Sequence, residues 1–329
     1  MRTCTVVLLV CAFSVFSPLS VSAQESKPGS LTRQRQVASQ ARFTSGNSAL
    51  NIPLEIDNNI ILLKVAVNNS KPLRFIFDTG ASHTILHSRR GSELGLKPEE
   101  QITGTATGGA IEGSLTSGVS LKVAGAEVSN QQIGMVDFPL PPGFEFDGVI
   151  GYDFINAFVV EIDYLKRIMN LYDPRAYSYK GPGEVIPMAI AGRRIPFVNT
   201  TIVFETGPPI EASLEVDTGA DRTIIFSSPF VAKQQLVNRI MGTTEGAGRG
   251  AGGEQKILVG KIKAARLGKF LFPDPPVGLV LNKDGKEGDG VIGGEIFRRF
   301  KLILDYSRQQ MILEPNKSFN DPYQFESGD

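Results

Sequence analysis

The sequence predicts an all-β protein of two lobes, the second a duplicate of the first and related to it by a pseudo-twofold. Three observations carry this expectation. Short apolar or alternating runs such as IPLEI, IILLKVAV and LRFIF are separated by turn residues, a strand-and-hairpin pattern. The 329 residues include 35 Gly and 20 Pro, which suits many tight turns, and the length fits about two domains of roughly 150 residues. Landmarks also recur at a nearly constant offset, which marks an internal repeat. Asp78-Thr79-Gly80-Ala81 returns as Asp217-Thr218-Gly219-Ala220, 139 positions on; DGVIG at Asp147 returns at Asp289, and VVEIDY at Val159 returns as KLILDY at Lys301, both at 142.

In chain order, the start carries Arg2, an apolar run from Val6 to Phe16 and a small-x-small end at Val21-Ser22-Ala23, the signature of a secretory leader ending at residue 23. The run is too short, and too interrupted by Ser17, Pro18 and Ser20, to read as a membrane span. Both cysteines, Cys4 and Cys11, fall within it. The mature chain is therefore expected to be exported, free of disulfides and thiol chemistry, and not membrane-bound once the leader is cleaved. Lys+Arg and Asp+Glu balance at 34 each, which gives no charge argument for nucleic acid or anionic membrane.

Residues 24–51 are polar and aperiodic, and read as a linker or short pro-segment. Order is expected from Ile52, with one lobe over 52–183, the other over 184–316 and a tail over 317–329. Asn68-Asn69-Ser70-Lys71-Pro72 reads as a hairpin turn. Val119–Val123 and Ile133–Val136 are further strands. Helices are expected only at Ser88–Leu94, Tyr152–Ala157, Phe230–Ile240 and Glu295–Phe300.

Each lobe thus supplies one Asp-Thr-Gly at a strand end and, some 70 residues later, two apolar residues before a glycine: Val149-Ile150-Gly151 and Val291-Ile292-Gly293. On these motifs the chain resembles the retropepsin-like aspartyl proteases found as exported bacterial proteins, over roughly Ile52 to Asn316. The resemblance implies the two-lobed aspartic protease fold, in which each Asp-Thr-Gly loop is braced by its apolar-apolar-Gly strand. It implies an aspartic-type endopeptidase needing no cofactor and no metal, with a peptide or protein as substrate and one chain sufficient for activity. Related proteins often continue into a PDZ domain after a stretch like Met311–Asn316; a chain ending at Asp329 is expected to lack one.

The chemistry has its own reason. Cleaving a peptide without metal or nucleophile needs a base to activate water and an acid to protonate nitrogen. Two carboxylates about 3 Å apart cannot both ionise readily and so share a proton, serving as base and acid in turn. Asp78 and Asp217 are the candidate pair and titrate as a unit. Thr79 and Thr218 would cross-link the two loops through their hydroxyls, while Gly80 and Gly219 let backbone amides approach the carboxylates. Where pepsin-like lobes have Ser or Thr, both loops here have alanine, Ala81 and Ala220, as in retropepsins. With fewer bonds to the ionised form, activity is expected at mildly acidic pH.

The resemblance also marks two glycine-rich flaps, Gly104–Gly113 and Gly242–Gly253, with Gly108, Gly109, Gly248 and Gly250 as substrate-facing candidates. After the loops the lobes differ: Ser82 against Asp221. An Asp at this place in retropepsins binds substrate backbone amides, so Asp221 gives the cleft a direction, or else it is a loop carboxylate paired with Arg222. The retropepsin Arg after apolar-apolar-Gly is missing, with Tyr152 and Gly294 in its places. Other motifs carry less. His83 and His87 lack a third metal ligand, no G-x-S-x-G occurs, Asn282–Gly290 lacks calcium-loop spacing, and Gly248–Gly253 opens no helix as a dinucleotide loop must. The alternative from another class is a catalytically silent module that grips peptides without cutting them.

Overall fold

The computed structural model describes residues 40–139, 143–190, 192, 194–282 and 288–324, together with the backbone of 7–9 and 13–18. The remainder of the leader, residues 19–39 of the expected leader and linker, the middle of the Asn282–Gly290 loop and the last five residues lie outside this description.

Strand Leu73–Phe77 shows how the sequence makes the sheet. Its last three residues, Phe75-Ile76-Phe77, are fully buried on both faces, the condition of a central strand and the reason they are apolar without alternation. It pairs antiparallel with Ile60–Val67 on one side and parallel with Gly148–Ile150 on the other. Gly148–Ile150 pairs in turn with Ile85–His87, so the chain leaving Asp78 comes back one strand further along the same sheet. The second lobe repeats the arrangement. Ile210–Val216 pairs antiparallel with Pro196–Val203 and parallel with Gly290–Ile292, which separates it from Ile224–Phe226.

A third sheet joins the lobes, in the order 184–187, 310–315, 300–305, 159–163, 168–172, 48–53. Its central pair is Val159–Asp163 against Phe300–Asp305, where Glu161 lies opposite Ile303. These two residues are duplicates at the 142-residue offset, so the pseudo-twofold passes between them. A continuous core runs from Phe75, Phe77, Phe154 and Phe158 in one lobe, through Ile162 and Leu302, to Phe226, Phe297 and Phe300 in the other. Each such phenylalanine contributes about 2–3 kcal/mol by leaving water.

The expected helices at 88–94, 152–157 and 295–300 are the short helices Ser88–Glu93, Tyr152–Ile155 and Gly294–Phe297. The expected helix Phe230–Ile240 is two, Ser228–Lys233 and Leu236–Arg239, because Gln235 takes a left-handed conformation between them. The expected strands at 119–123 and 133–136 are the ends of longer ones, Gly109–Val123 and Ala126–Val136, paired around Gly125. Order also begins before Ile52. Gln40–Phe43 and Ser48–Pro53 are edge strands, too polar on their outer faces to show an apolar run; Arg42 bridges Glu127 at 2.9 Å and Ala49 enters the core. Among the described residues no helix is long and apolar enough to cross a membrane.

The lobes are also tied by a buried ion cluster. Glu295 is fully buried and takes hydrogen bonds from Arg298 (2.7 Å), Arg299 (2.9 Å) and, from the other lobe, Asn59 Nδ2 (3.0 Å). Arg299 also donates to the carbonyls of Phe319 and Asp321, which holds the tail. Removing the anion would strand a buried guanidinium. Glu295→Ala is expected to cost about 3–5 kcal/mol in urea unfolding at pH 7. A cost below about 1 kcal/mol would show that Arg299 does not depend on it.

Candidate active site

Asp78 and Asp217 follow directly on the central strands of the two lobes. The Asp78 N–H donates to the Ile150 carbonyl at 3.1 Å and the Asp217 N–H to the Ile292 carbonyl at 3.0 Å, so the apolar-apolar-Gly strand fixes each aspartate's backbone. Alternation then sets the next residues. Thr79 and Thr218 point into the junction between the lobes, where each threonine N–H donates to the other's hydroxyl oxygen, at 3.2 and 3.0 Å. The hydroxyls donate onward across the junction, Thr79 to the Val216 carbonyl (2.5 Å) and Thr218 to that of Phe77 (2.8 Å). Four reciprocal bonds between buried groups therefore clamp the loops together.

Within each loop the glycine N–H donates to its own aspartate, Gly80 to Asp78 Oδ1 and Gly219 to Asp217 Oδ1, both at 2.8 Å. The glycines are required for a steric reason. A Cβ on Gly80 would lie 2.9 Å from the Asp217 carboxyl carbon, and one on Gly219 would lie 2.5 Å from that of Asp78. Each carboxyl group thus rests against the opposite lobe's glycine, and the two face one another, both fully buried. Ala81 and Ala220 are fully buried beside them, and their carbonyls accept from Tyr152 N–H (2.9 Å) and Gly294 N–H (2.7 Å). The places where an arginine is missing therefore serve as backbone braces.

Burial pushes the Asp78 carboxyl well above the usual carboxylate range. The Asp217 charge, a hydrogen bond to the Asp217 carboxyl and the charge of Glu215 add to this, and the Gly80 N–H opposes them only weakly. Two facing buried carboxyl groups cannot both ionise readily, so this arrangement favours one proton held between them.

The two glycine-rich stretches form hairpins, Glu100–Ala106 with Gly109–Val123 and Thr244–Gly250 with Gly253–Lys261. Their tips touch. The Gly252 N–H donates to the Thr107 carbonyl at 2.9 Å, Gly108 (φ +96°) has no room for a Cβ against the Gly253 backbone, and one on Gly109 would meet the Gly252 carbonyl at 2.9 Å. Of the expected glycines, Gly108 and Gly109 lie at the contact. In the second hairpin the tip is Ala251 and Gly252, whereas Gly248 and Gly250 lie on its first strand, opposite Gln255 and Gly253. Residues 13–18 run antiparallel along Glu100–Ala106, and 7–9 run parallel to Thr244–Gly250.

Ser82 is buried with its hydroxyl 3.0 Å from His83 Nδ1. Asp221 is buried and pairs with Arg222 at 3.4 Å, while its carbonyl accepts from Asn59 Nδ2 (3.1 Å). The pairing with Arg222 is thus present, inside the protein rather than in solvent. His83 is pushed down to about 4 by burial and by the charge of Arg194, and His87 caps helix Ser88–Glu93. Among the described residues no three His, Cys, Asp or Glu side chains are grouped to hold a metal ion.

Three residues passed over in the sequence matter here. Glu215 is two positions before Asp217, hence on the same face of its strand, and is buried. Asp153 and Glu295 are duplicates at the 142-residue offset beneath the two loops. Their signal was in the repeat, which pairs an acid with an acid just after each apolar-apolar-Gly. Asp153 Oδ2 accepts the Thr84 N–H at 2.9 Å, and burial pushes its pKa up to about 7.

A family model described as aspartyl protease matches the chain twice, over residues 63–154 and 204–296, once in each lobe and together over more than half its length. No curated protein matches the chain.

Two predictions follow from the geometry. Thr79→Val and Thr218→Val are each expected to cost about 1–3 kcal/mol in denaturant unfolding, since each leaves buried N–H and C=O groups unmade. The double variant should fall short of additivity by more than about 0.5 kcal/mol; full additivity would mean the hydroxyls are not coupled. Asp153, with a folded pKa of about 7 against an ordinary 3.8, holds a proton that the unfolded chain gives up. Its contribution is complete below the ordinary value and is lost as pH rises through about 7. Asp153→Asn should therefore flatten the fall in stability across this window, read as melting temperature against pH.

Proposed function

The chain belongs to the aspartyl protease family, and we propose that it is an exported endopeptidase whose Asp78 and Asp217 activate a water against a peptide carbonyl. The observation that carries this reading is two fully buried carboxyl groups, each resting against the opposite loop's glycine, in a frame cross-linked by Thr79 and Thr218. The ionised member takes a proton from water as the oxygen attacks, and the protonated member hydrogen-bonds the carbonyl oxygen, which becomes the gem-diol hydroxyl. The proton taken from water then passes to the amide nitrogen, one gem-diol hydroxyl returns its proton to the other carboxylate as the C–N bond breaks and the C=O re-forms, and the pair is left with one proton again. Charge develops where the acids already stand, so little reorganisation is needed.

The substrate would lie as an extended strand between the hairpins and the aspartates, using main-chain bonds for affinity. The hairpin edges accept such a strand in this chain, since residues 7–9 and 13–18 pair along them. Cleaving the leader on export would free both edges. Because the tips touch, the hairpins must part to admit a peptide.

The full chain and a form beginning at Gln24 are to be incubated with a mixed peptide library from pH 3 to 8. Cleavage by the shorter form, greater than by the full chain and lost in both Asp78→Asn and Asp217→Asn, is expected. Since the pair must hold one proton, activity falls on the alkaline side as it leaves and on the acid side as a second is added. The raised position of Asp78 lifts the alkaline limb above that of an ordinary carboxylate, for an optimum at mildly acidic pH. An optimum near pH 2 would contradict the proton assignment. Peptides bound by both forms and cut by neither would show a binding module instead.

A further inference from the structure

A cleft with true twofold symmetry would take a peptide equally well in either direction, since the rotation exchanges the lobes and reverses the strand. Two unequal lobes in one chain are free of that constraint. Gly109 pairs with Ala106 and Gly253 with Gly250, so each glycine-rich hairpin closes on a two-residue turn. Counted back from the turns, the outer strands match residue for residue: Ala106 with Gly250, Thr103 with Ala247 and Ile102 with Gly246. The two edges differ at these places. Ile102 and Ala106 are buried, and Ala106 joins the apolar cluster around Ile76. The second edge has glycines there, and its Arg249 is tied to Glu254 of its own hairpin at 2.5 Å. A strand added along an edge sets its side chains beside those of the edge strand, so the second edge leaves space that the first one fills.

The chain lays one of its own strands along each edge, and the two agree on a direction. Residues 7–9 run parallel to the second edge, with Val7 opposite Ala247 and Leu9 opposite Arg249, so this stretch advances toward the hairpin turn. Residues 13–18 run antiparallel to the first edge, from Phe13 opposite Ala106 to Pro18 opposite Ile102, so that stretch leads away from the turn. The turns themselves touch, through the Gly252 N–H and the Thr107 carbonyl. Both pairings therefore fit one strand running one way, N-terminal end on the second hairpin and C-terminal end on the first. Positions 7–18, which the two pairings bracket, would reach about 40 Å when extended.

We propose that the two hairpin edges form a single directional track for an unfolded stretch of polypeptide, which lays its N-terminal half along Thr244–Gly250 and its C-terminal half along Glu100–Ala106. The inference rests on the peptidase reading above and adds to it the orientation and the class of the substrate. Pairing along an edge uses main-chain N–H and C=O groups, so it asks for an extended backbone rather than a particular sequence. A compact domain does not offer about 40 Å of free strand. The track therefore selects unfolded segments over folded surfaces, and the unequal edges select one of the two directions that the pseudo-twofold would otherwise allow.

Thiol trapping reads the direction. In the full chain with Cys4→Ser and Cys11→Ser, Val7→Cys is combined with Ala247→Cys or with Thr103→Cys, its match on the other hairpin, and Ser17→Cys is combined with each in the same way. Disulfides joining 7 to 247 and 17 to 103 are expected, at least about tenfold over the crossed pairs, because a bridge needs Cα atoms within about 7 Å. In trans, the form beginning at Gln24 carries Asp78→Asn and one of the two hairpin thiols. Among the described residues none before Phe43 packs on the core, so this form keeps the folded body. It is offered residues 7–18 as a peptide with Cys11→Ser, and the same residues scrambled, each with a cysteine added at one end. Both peptides should be trapped through an N-terminal cysteine at Ala247→Cys and through a C-terminal one at Thr103→Cys. Trapping by the opposite ends, by both ends alike or by neither, or a direction lost on scrambling, overturns the proposal. Directional trapping by a chain whose unsubstituted form cuts no peptide would sink the peptidase reading and leave the track standing. Trapping by both ends alike in an active peptidase would do the reverse.

Discussion

Two acidic groups that repel when charged have to be held together in a buried place, and the rest of the molecule answers that constraint. The clamp is the reciprocal pairing of Thr79 and Thr218, in which every buried donor meets a buried acceptor across the lobes. Such bonds add modestly to stability when made and cost more when one partner is missing, so the junction tolerates one arrangement. The braces behind it, Ile150 and Ile292, hold the aspartate backbones, and the glycines leave room for the facing carboxyl groups. The facing of the two carboxyl groups is thus a property of the frame, and neither lobe has it alone.

The duplication is faithful in backbone and unfaithful in side chains. Where the first lobe has Ile76, Ser82 and Asp153, the second has Glu215, Asp221 and Glu295. Asp153 is left to burial, a Thr84 N–H and the distant charge of Arg194, whereas Glu295 is held by two arginines and by Asn59 from across the junction. The first lobe therefore keeps its acid protonated by burial, at Asp153, and the second pairs its acids specifically, at Glu295 and at Asp221 with Arg222.

Much of this could be read from the residues. Asp-Thr-Gly and apolar-apolar-Gly, each twice at constant offset, announced the lobes, the central strands and the facing loops, because those positions admit few side chains. The long hairpin strands were read short, since glycine and polar residues blur the two-residue alternation where a strand is half exposed. The edge strands before Ile52 gave no apolar run because only Ala49 and Ile52 face inward. The tip of the second hairpin was misplaced by a few residues, as a run of glycines does not say which of them turns. Glu215 was visible by alternation alone, but its weight depends on distance to Gly80 and Asp217, and that is a property of the folded chain.

The joining sheet has a consequence for how the site is assembled. Its central pair sets Val159–Asp163 beside its own duplicate, Phe300–Asp305, with the axis between Glu161 and Ile303. In a half-chain this strand would be an open edge, and a second half would have to find it in solution. Within one chain the partner strand is tethered, so the meeting is governed by an effective concentration set by the linking segment. Dilution does not part the halves. Each copy is also free to change without the other, as the unmatched residues on either side of the cleft show.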